Sequence, residues 1–503
     1  MNRSIKIIAA ILLIAMVLAA ASCAKPPVDD TSSDNGGDVT TTAPSQGNSG
    51  NSNDTDATPG DTTPAETEAP ELSDDIGEVS FDGKAFRIFA QDRFKSFSAA
   101  EEQIGETVND AIYLRNGTVE DRLQVDLVFT FGSEDKMCSD FSTTVLSGSD
   151  EYDLFLGHAV YASKYFTQGI YANWYDTEID FSKPWFPEYV VESGTINGKM
   201  YLLLSDVCLS AVARVYSVFY NIDEAQNFGL PDAFELVRND EWTLDKFIEL
   251  TKNVYRDNNA DGLRDVGDLF GARSTDNGNY LCNYVYSLGM DNIVLTDAGT
   301  VEDNFASESN LQKIEKLCYL FDDTDGGWDQ DTFDQSWQSF SLGNAVFNHG
   351  SLEWGQTYYK DQCTFNYGIL PFPKYTAEQD YLTIVNGAAS MTCLPKTVPT
   401  DRYDMIKAVV TVLCSETHKN VIPQYIDVTL QGKVANNADS AEMITLILEG
   451  RTMDFAAIYD AFNGYVYALD QVMVARTRLG SYLKGMSRTV TKHYNNVAEA
   501  FNK

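Results

Sequence analysis

Residues 1–80 cannot contribute to a folded core, so residues 81–503 must build the structure. From residue 24 to residue 80 there is no aromatic side chain, and Thr, Ser, Asn, Gly, Pro and Asp predominate. Such a segment cannot bury enough apolar surface to offset its conformational entropy. We therefore expect a disordered tether over residues 23–80, with an r.m.s. reach of about 40 Å.

Residues 1–22 have the features of a secretory signal peptide. Arg3 and Lys6 give a positive start, residues 7–18 are almost wholly apolar, and residues 19–22 are small. The apolar run is too short for a comfortable membrane-spanning helix. Cys23 follows directly, and this stretch resembles a bacterial lipobox, with Ala20 where such motifs usually have Leu. The resemblance implies that Cys23 is acylated and becomes the mature N-terminus; the alternative is a secreted protein with an incidental cysteine.

The body is large, and the chain is strongly acidic. Residues 81–503 are too many for one ordinary domain, which predicts two lobes. The formal net charge of −38 argues against nucleic acid and against anionic ligands, because a polyanion would be repelled. It also argues against electrostatic binding to acidic lipid, so we expect membrane attachment through the lipid on Cys23.

The remaining cysteines give no zinc or redox signature. No two of them form a C-x-x-C pair, and their number is odd, so they cannot all pair with one another. Most lie in apolar runs, where cysteine acts as a small hydrophobic residue. We expect mostly free, buried thiols at Cys138, Cys208, Cys282, Cys318, Cys363, Cys393 and Cys414.

The start of the body alternates between strand and helix patterns. Apolar runs predict strands over residues 85–90, 125–130 and 152–157, and helical spacing predicts helices over 108–123 and 136–146. This order implies parallel strands with crossover helices, and ligands of such sheets lie beyond the carboxyl ends of the strands. Any site is therefore expected near Gln91, Asp92, Arg93, His158 and Tyr161, each of which could equally be a solvated loop residue.

The later part of the body is predicted to be mainly helical. The patterns predict strands or extended chain over residues 215–221, 367–371 and 388–394. Helices are predicted over residues 244–255, 310–320, 333–342, 404–415, 438–448 and 466–486.

One twelve-residue loop has the spacing of a calcium-binding loop. Residues 257–268 place oxygen-bearing side chains at positions 1, 3, 5, 9 and 12, with Gly262 at position 6 to allow the sharp turn. Asp stands at the last position where Glu is usual, which shortens the reach of that ligand. We predict a structural calcium ion, against the alternative of an acidic loop in an acidic protein, with the ligands Asp257, Asn259, Asp261, Leu263 through its carbonyl, Asp265 and Asp268.

Several segments together resemble the extracellular solute-binding proteins of ABC importers, of the carbohydrate-associated type found as lipoproteins in Gram-positive bacteria. Residues 179–186 are similar to that family's "iD-sKPWW" stretch, with Phe186 in place of the second Trp, and residues 197–201 to its "nGKlY" turn. Residues 242–246, followed by the loop at 257–268 and Gly271, resemble "WT-dk…D-NgDG--D--D-fG". Further similar segments are residues 218–221, 347–350 and 367–374.

The resemblance implies an α/β, two-lobed, periplasmic-binding-protein-like fold of type II, with a hinge and a cleft between the lobes. Lobe 1 would comprise residues 81–217 and 385–424, and lobe 2 would comprise 218–384 and 425–503. The chain would cross between the lobes near residues 216–221, near 386–392 and near Tyr425.

The resemblance implies that the protein captures a carbohydrate, expected to be an oligosaccharide, on the outer face of the cell membrane and delivers it to permease subunits. The protein would be a lipid-anchored monomer and not an enzyme. Aromatic rings stack on the C–H faces of sugars and polar side chains bond their hydroxyls. Candidate platforms are Trp185, Phe186, Trp354 and Tyr425, for each of which a core position is an open alternative; candidate polar contacts are Gln91, Asp92, Arg93, His158, Arg214 and Glu353.

Two other functions remain open at this point. A secreted glycoside hydrolase needs two carboxylates at a set separation, and 74 acidic residues make such pairs unavoidable and uninformative. The sequence has no nucleophile elbow, no P-loop and no dinucleotide fingerprint, and its four histidines show no metal spacing. A structural surface adhesin is the third possibility.

Overall fold

The computed structural model describes residues 72–502 except 276–279, 297, 322–326, 431–437 and 476–477. The predicted signal peptide, Cys23 and most of the predicted tether lie outside the described residues. Within the described ranges, no helix combines the length and the apolar character needed to cross a membrane.

The described chain forms two large β-sheets and two short strand pairs, surrounded by helices. The strands are β1 (Lys84–Gln91), β2 (Val125–Gly132), β3 (Leu154–His158), β4 (Leu202–Leu204), β5 (Tyr216–Asn221), β6 (Tyr255–Arg256), β7 (Leu269–Thr275), β8 (Ile293–Leu295), β9 (Val301–Asp303), β10 (Gly327–Asp331), β11 (Ala345–Ser351), β12 (Tyr367–Leu370), β13 (Thr383–Ile384), β14 (Ser390–Cys393) and β15 (Arg451–Thr452).

The first sheet has the strand order β2-β1-β3-β14-β4. β1 is parallel to both β2 and β3, whereas β14 is antiparallel to β3 and β4. The helix Thr107–Leu123 connects β1 to β2; the side chain of Glu106 accepts hydrogen bonds from the first-turn amides, and Gln124 ends the helix with φ +50°. The predicted strand–helix–strand–helix–strand order of this region is confirmed, and the ends of β1, β2 and β3 share one edge.

The second sheet has the order β10-β7-β11-β5-β12, with β6 paired to β7. β7 is parallel to β10 and β11, and β5 runs antiparallel to β11 and β12. The predicted strands at 215–221 and 367–371 correspond to β5 and β12. The sequence patterns did not predict β7, β10 or β11. All residues of β7 and β11 are buried, so these strands lack the alternation of buried and exposed side chains that a half-buried strand shows.

The helices surround the two sheets, and the predicted ones from residue 108 to residue 448 are confirmed within a few residues. The predicted helix 466–486 is instead a 3-10 turn followed by two separate helices. The α-helices are Lys95–Ser98, Thr107–Leu123, Glu134–Leu146, Ala159–Lys164, Glu188–Gly194, Ser210–Ala213, Ile222–Asn227, Ala233–Arg238, Leu244–Thr251, Tyr284–Ser287, Glu308–Leu320, Phe333–Ser341, Tyr403–Glu416, Ile422–Leu430, Ala438–Glu449, Phe455–Ile458, Leu469–Val474 and Leu479–Ala500.

Two crossing segments, residues 214–216 and 383–386, connect the sheets and are bonded to each other. Val215 and Val385 form an antiparallel bridge, and the amide of Asn386 donates to the carbonyl of Arg214 at 2.9 Å. The hydroxyl of Thr383 donates to the carbonyl of Tyr216 at 3.0 Å. This paired connection is the natural position for a hinge, because few backbone torsions there separate the two sheets.

The C-terminal part of the chain does not belong to lobe 2 alone. Tyr425 is buried with Val108, Ile112 and Val212 in an apolar cluster of the first lobe, so the last crossing is not at this residue. The helix Ala438–Glu449 packs on β12 of the second sheet, but Phe501 contacts the rings of Phe166, which precedes β4. Residues 425–503 thus contact both lobes, and the predicted boundary at 425 requires this correction.

Candidate functional site

A cavity of about 320 Å³ lies where both lobes and the crossing segments meet. It is lined by Arg93, Glu134, His158, Val160 and Tyr161 of the first lobe, by Arg214, Tyr216, Asn386, Gly387 and Ala388 of the crossing region, by Tyr280 and Phe333 of the second lobe, and by Phe462 and Tyr467 of the C-terminal part. Three other cavities are larger, at about 330, 480 and 720 Å³, but their described lining residues do not come from the strand ends of both sheets.

The cavity lies at the carboxyl ends of the parallel strands of both sheets. In the first sheet, Arg93 follows β1, Glu134 follows β2 and Tyr161 follows β3. In the second sheet, Tyr280 follows β7 and Phe333 follows β10. Ligands of open parallel sheets lie at this edge, because the loops there converge from separate parts of the chain. The cavity is therefore the candidate binding site.

Three of the predicted polar residues line this cavity: Arg93, His158 and Arg214. Arg214 is buried and forms an ion pair with Glu353, which lies just beyond the end of β11. Burial lowers the pKa of the Arg214 guanidinium, although the side chain remains cationic at neutral pH. Burial lowers the pKa of His158 to about 3, and the charges of Arg93 and Arg214 contribute in the same direction. His158 is consequently neutral at physiological pH.

Two of the other predicted polar residues, Gln91 and Asp92, serve the surrounding structure. Gln91 is buried, and its amide nitrogen donates to the hydroxyl of Ser390 at 2.9 Å and to the carbonyl of Ala388 at 3.2 Å. It thereby joins the end of β1 to the crossing region. Asp92 is exposed and accepts a hydrogen bond from the amide of Arg93 at 2.7 Å. Neither side chain is among the described residues that line the cavity.

Trp354 lies behind the wall of the cavity. Its side chain has no exposed surface, and its ring contacts those of Tyr280 and Phe333, with centroid distances of 4.8 and 5.4 Å. These two neighbours line the cavity. The prediction that Trp354 stacks on a ligand is wrong for this structure, because its ring is buried. Trp354 instead supports Tyr280 and Phe333, which can contact a ligand.

The remaining predicted aromatic platforms belong to the core of the first lobe. Trp185 and Phe186 are buried, and Phe186 packs against Phe181 with ring centroids 5.1 Å apart. Tyr425 packs edge-on against Phe97 at 6.3 Å. These corrections have one cause: large apolar rings are stabilised by burial in any well-packed environment, and the local sequence does not distinguish a core from a cleft.

The aromatic residues that do line the cavity come from separate regions of the chain. Tyr161 contacts the ring of His158 at 4.3 Å and that of Phe462 at 5.6 Å. On the other side, Tyr280 contacts Tyr216 at 5.5 Å. The expectation that ligands lie beyond the carboxyl ends of parallel strands identified Tyr161, and it could also have identified Glu134, which follows β2. No local signal in the sequence pointed to Tyr280, Phe333, Phe462 or Tyr467.

A strained turn carries Phe462 to the rim of the cavity. Ala461 and Phe462 adopt positive φ values of 48° and 62°, which is unusual for non-glycine residues. Asp460 comes directly before this turn and is fully buried, and its backbone carbonyl accepts a hydrogen bond from the amide of Asn463 at 2.8 Å. The amide of Ala461 also donates to the hydroxyl of Ser163 at 3.1 Å. About half of Phe462 remains exposed, so its ring is available to a ligand.

Gly387 keeps the cavity open at the crossing segment. A Cβ atom at this position would lie 2.5 Å from Cγ2 of Val160 and 2.7 Å from the hydroxyl of Tyr467. Both neighbours also line the cavity. Any side chain at position 387 would therefore displace part of the lining, and the sequence alone gave no indication of this requirement.

In the loop predicted to bind calcium, carboxylate oxygens accept hydrogen bonds from the loop's own backbone amides. Asp257 accepts from the amides of Ala260 and Gly262, at 2.6 and 2.9 Å, and Asp261 accepts from that of Leu263 at 2.8 Å. The carboxylate of Asp268 is buried and accepts from the hydroxyl of Tyr255 at 2.7 Å. Within the described part of the chain, no three His, Cys, Asp or Glu side chains are placed to hold a metal ion. Calcium binding by this loop therefore stays a prediction.

Comparisons with known proteins identify the fold. No protein-family model matches the chain, and no curated protein matches its sequence. Among solved structures, a cyclo/maltodextrin-binding protein complexed with maltotetraose is 14% identical with a TM-score of 0.55, over 82% of this chain and 97% of that one. The cyclic alpha-maltosyl-1,6-maltose binding protein of Arthrobacter globiformis is 12% identical with a TM-score of 0.53, over 82% and 100%.

A third similar structure is an ABC transporter solute-binding protein from Thermotoga lettingae bound with alpha-D-tagatose. It is 13% identical, with a TM-score of 0.51, over 82% of this chain and 100% of that one. The similarity thus extends over nearly the full length of each of these proteins and includes both sheets of this chain. The chain therefore has the two-lobed, type II α/β fold of the sugar-binding solute-binding proteins of ABC transporters.

Proposed function

We propose that the protein is the extracellular substrate-binding component of an ABC importer and captures a carbohydrate between its lobes. One observation supports this most directly. The strand ends of both sheets present aromatic rings and hydrogen-bonding groups to one cavity, with Tyr161 and Arg93 on one side and Tyr280 and Phe333 on the other. Sugars need this combination, because rings stack on their C–H faces and polar groups bond their hydroxyls.

The decisive experiment is calorimetric titration of the full chain, in mild detergent, against a panel of neutral and acidic mono- and oligosaccharides. We expect one class of sugar to bind. Tyr161→Ala should weaken that binding about tenfold, since an aromatic contact contributes about 0.5–1.5 kcal/mol beyond its buried area. Tyr113→Ala, on the exposed face of the helix Thr107–Leu123, serves as the control and should bind normally. Absence of binding across the panel would contradict the proposed function.

Closure of the lobes is the expected mechanism of capture. A ligand that contacts both lobes stabilises the arrangement in which both sets of contacts are made. The bonded crossing segments at residues 214–216 and 383–386 would act as the hinge. Small-angle scattering should therefore show a smaller radius of gyration when a saturating sugar is present. Tight binding with no change in scattering would argue against a hinge motion.

Hydrolysis of a glycan is the alternative that the cavity favours less. Glycosidases need an acid and a second carboxylate on either side of the scissile bond. Among the described residues that line the cavity, Glu134 is the one carboxylate. Glu353 is buried and paired with Arg214. Chromatography of each sugar after prolonged incubation with the protein should show it unchanged.

Anchoring through Cys23 and delivery to permease subunits complete the proposal. Both rest on the sequence of residues 1–23, which lie outside the described part, and on the fold. Cys23→Ala should move the protein from the membrane fraction into the medium. If the variant remains in the membrane fraction, another anchor is present. Uptake of the labelled sugar that binds best should be lost in cells that lack the protein and restored by its return.

Calcium binding at residues 257–268 also remains a proposal, based on the spacing of Asp257, Asn259, Asp261, Leu263, Asp265 and Asp268. The carboxylates of Asp257, Asp261 and Asp265 accept hydrogen bonds from loop amides and retain further lone pairs that an ion could use. A lone site of this kind would stabilise the lobe that carries it. We also expect the protein to be a monomer, which light scattering during size-exclusion chromatography can test.

A further inference from the structure

Two guanidinium groups line the cavity, from different parts of the fold. Arg93 follows β1 of the first sheet, and Arg214 precedes β5 at the crossing between the sheets. Arg214 is almost completely buried, whereas the side chain of Arg93 is about one-third exposed. A buried arginine is retained where its planar fork of donors has a defined partner. These two cations lie in a chain whose net charge is −38.

Both arginines act electrostatically on groups in the two walls of the cavity. The pKa of His158 is lowered by burial and then by Arg93 and Arg214. The pKa of Tyr280, on the opposite wall, is raised by burial, and the charges of Arg214 and Arg93 oppose that rise. The same two guanidiniums therefore act on both walls, while Glu134 and Asp135 add negative charge beside Tyr161. An anionic group placed between these walls would be stabilised by both.

The carboxylates paired with these arginines leave room for a ligand. Glu353 pairs with Arg214 but is not among the described residues that line the cavity. Its carboxylate therefore balances the charge of the guanidinium without occupying the cavity. Glu134 lies 3.6 Å from Arg93, and its side chain is 47% exposed. Exposed pairs of this kind contribute at most about 1 kcal/mol. A carboxylate on a ligand could replace Glu134 as the partner of Arg93.

The size of the cavity limits the ligand to a small sugar. Its volume of about 320 Å³ is at the lower end of the range of roughly 300–1,000 Å³ that is usual for small-molecule sites. The aromatic lining and the closeness of Gly387 to Val160 and Tyr467 leave little space for extension toward the crossing segment.

We propose that the site is specific for a small acidic sugar, a mono- or disaccharide that carries a uronate carboxylate, with Arg93 and Arg214 as its anion-recognising side chains. This inference rests on the proposed function as a carbohydrate receptor. It also revises the expectation that the net charge excludes anionic ligands. Charges on the surface farther than about 8 Å from the ligand are largely screened at physiological salt, whereas the arginines act at contact.

The test compares matched pairs of sugars on the full chain by calorimetry at neutral pH and physiological salt. The probes are D-glucuronate against D-glucose, D-galacturonate against D-galactose, and disaccharides that end in each. We expect at least one uronate to bind tenfold or more tightly than its neutral counterpart. Arg93→Gln should reduce that preference to less than threefold. Lys136→Gln, which removes an exposed cation from the helix Glu134–Leu146 outside the cavity, should leave it unchanged.

A second variant tests the role of the competing carboxylate. Glu134→Gln should strengthen binding of the uronate severalfold, because no protein carboxylate would then compete for Arg93. If neutral sugars bind as tightly as their uronate counterparts, or if Arg93→Gln retains the full preference, the inference is wrong while the carbohydrate function stands. If no sugar of either kind binds, the proposed function itself fails.

Discussion

Arg214 and Glu353 form a buried ion pair that joins the first crossing segment to the residues just beyond β11. The pair connects the hinge region to the second sheet and places the guanidinium against the cavity. Its two members are far apart in sequence, and the pair forms only when β5 and β11 lie side by side.

Glu353→Ala should lower the free energy of unfolding by about 3–5 kcal/mol, because it would leave the Arg214 guanidinium buried without its counter-ion. Urea denaturation followed by fluorescence measures this loss. The control is Glu134→Ala, which removes the exposed partner of Arg93 and should cost no more than about 1 kcal/mol. Equal, small losses in both variants would show that the buried pair contributes little.

Trp354 and Phe462 should respond oppositely to truncation. Trp354→Ala should lower the free energy of unfolding by about 3–5 kcal/mol, because its ring is fully buried against Tyr280 and Phe333. Phe462→Ala should leave that free energy nearly unchanged and weaken sugar binding about tenfold, since its ring is half exposed at the cavity rim. Thermal denaturation and calorimetry distinguish the two. Normal binding by folded Phe462→Ala would remove this residue from the site.

His158 should make the fold less stable in acid. Burial, with Arg93 and Arg214, lowers its pKa to about 3 in the folded state, against about 6.5 in an unfolded chain. Between these values the unfolded chain binds the extra proton, so stability is full above about pH 6.5 and falls by up to about 1.4 kcal/mol per pH unit toward pH 3. His158→Asn should flatten this dependence in urea denaturation curves. An unchanged slope would place the acid sensitivity elsewhere.

Asp460 should contribute a pH dependence of the opposite sign. Burial raises its pKa to about 7 in the folded state, well above that of an unfolded aspartate. The folded state therefore retains the proton as the unfolded chain loses it, and this contribution to stability decreases as pH rises from about 4 to about 7. Asp460→Asn should remove this decrease. Because Asp460 comes directly before the turn that carries Phe462, sugar affinity between pH 5 and pH 8 should be measured in the same variant.

Added calcium should raise the melting temperature if the loop at residues 257–268 binds it, because an ion that binds only the folded state stabilises it by mass action. Replacing Asp257 and Asp261 together with Ala should abolish the increase. Asp245→Ala, an exposed acidic residue outside the loop, is the control. If the wild-type protein shows no increase at millimolar calcium, the loop is held by its internal hydrogen bonds alone.

The sequence predicted the first sheet well because its signals are local. β1, β2 and β3 are separated by helices with clear apolar spacing. Because the carboxyl ends of parallel strands share one edge of a sheet, Arg93, His158 and Tyr161 could then be predicted to lie near one another. The second sheet was harder to predict. β7 and β11 are buried on both faces, so the periodicity that distinguishes a strand from a short buried helix is absent.

The aromatic residues show the limit of local reasoning most clearly. Trp185 and Tyr425 are large aromatic residues, as are Phe462 and Tyr280. The neighbouring sequence indicates only that each of these rings prefers to be buried. Whether such a ring meets the core or the cavity depends on which distant segment packs against it. Phe97 covers Tyr425, whereas the turn at Asp460 leaves Phe462 at the rim.

The sequence by itself therefore predicted an export signal and a lipidated cysteine. It determined the acidic character of the chain, most helices and the parallel strands of the first lobe, because each depends on composition or on short-range periodicity. The tertiary structure alone decided which side chains share the cavity, that Glu353 pairs with Arg214, and that Gly387 must lack a side chain. Those relationships join residues far apart in the chain, and their energies arise only when the two sheets and the crossing segments are brought into contact.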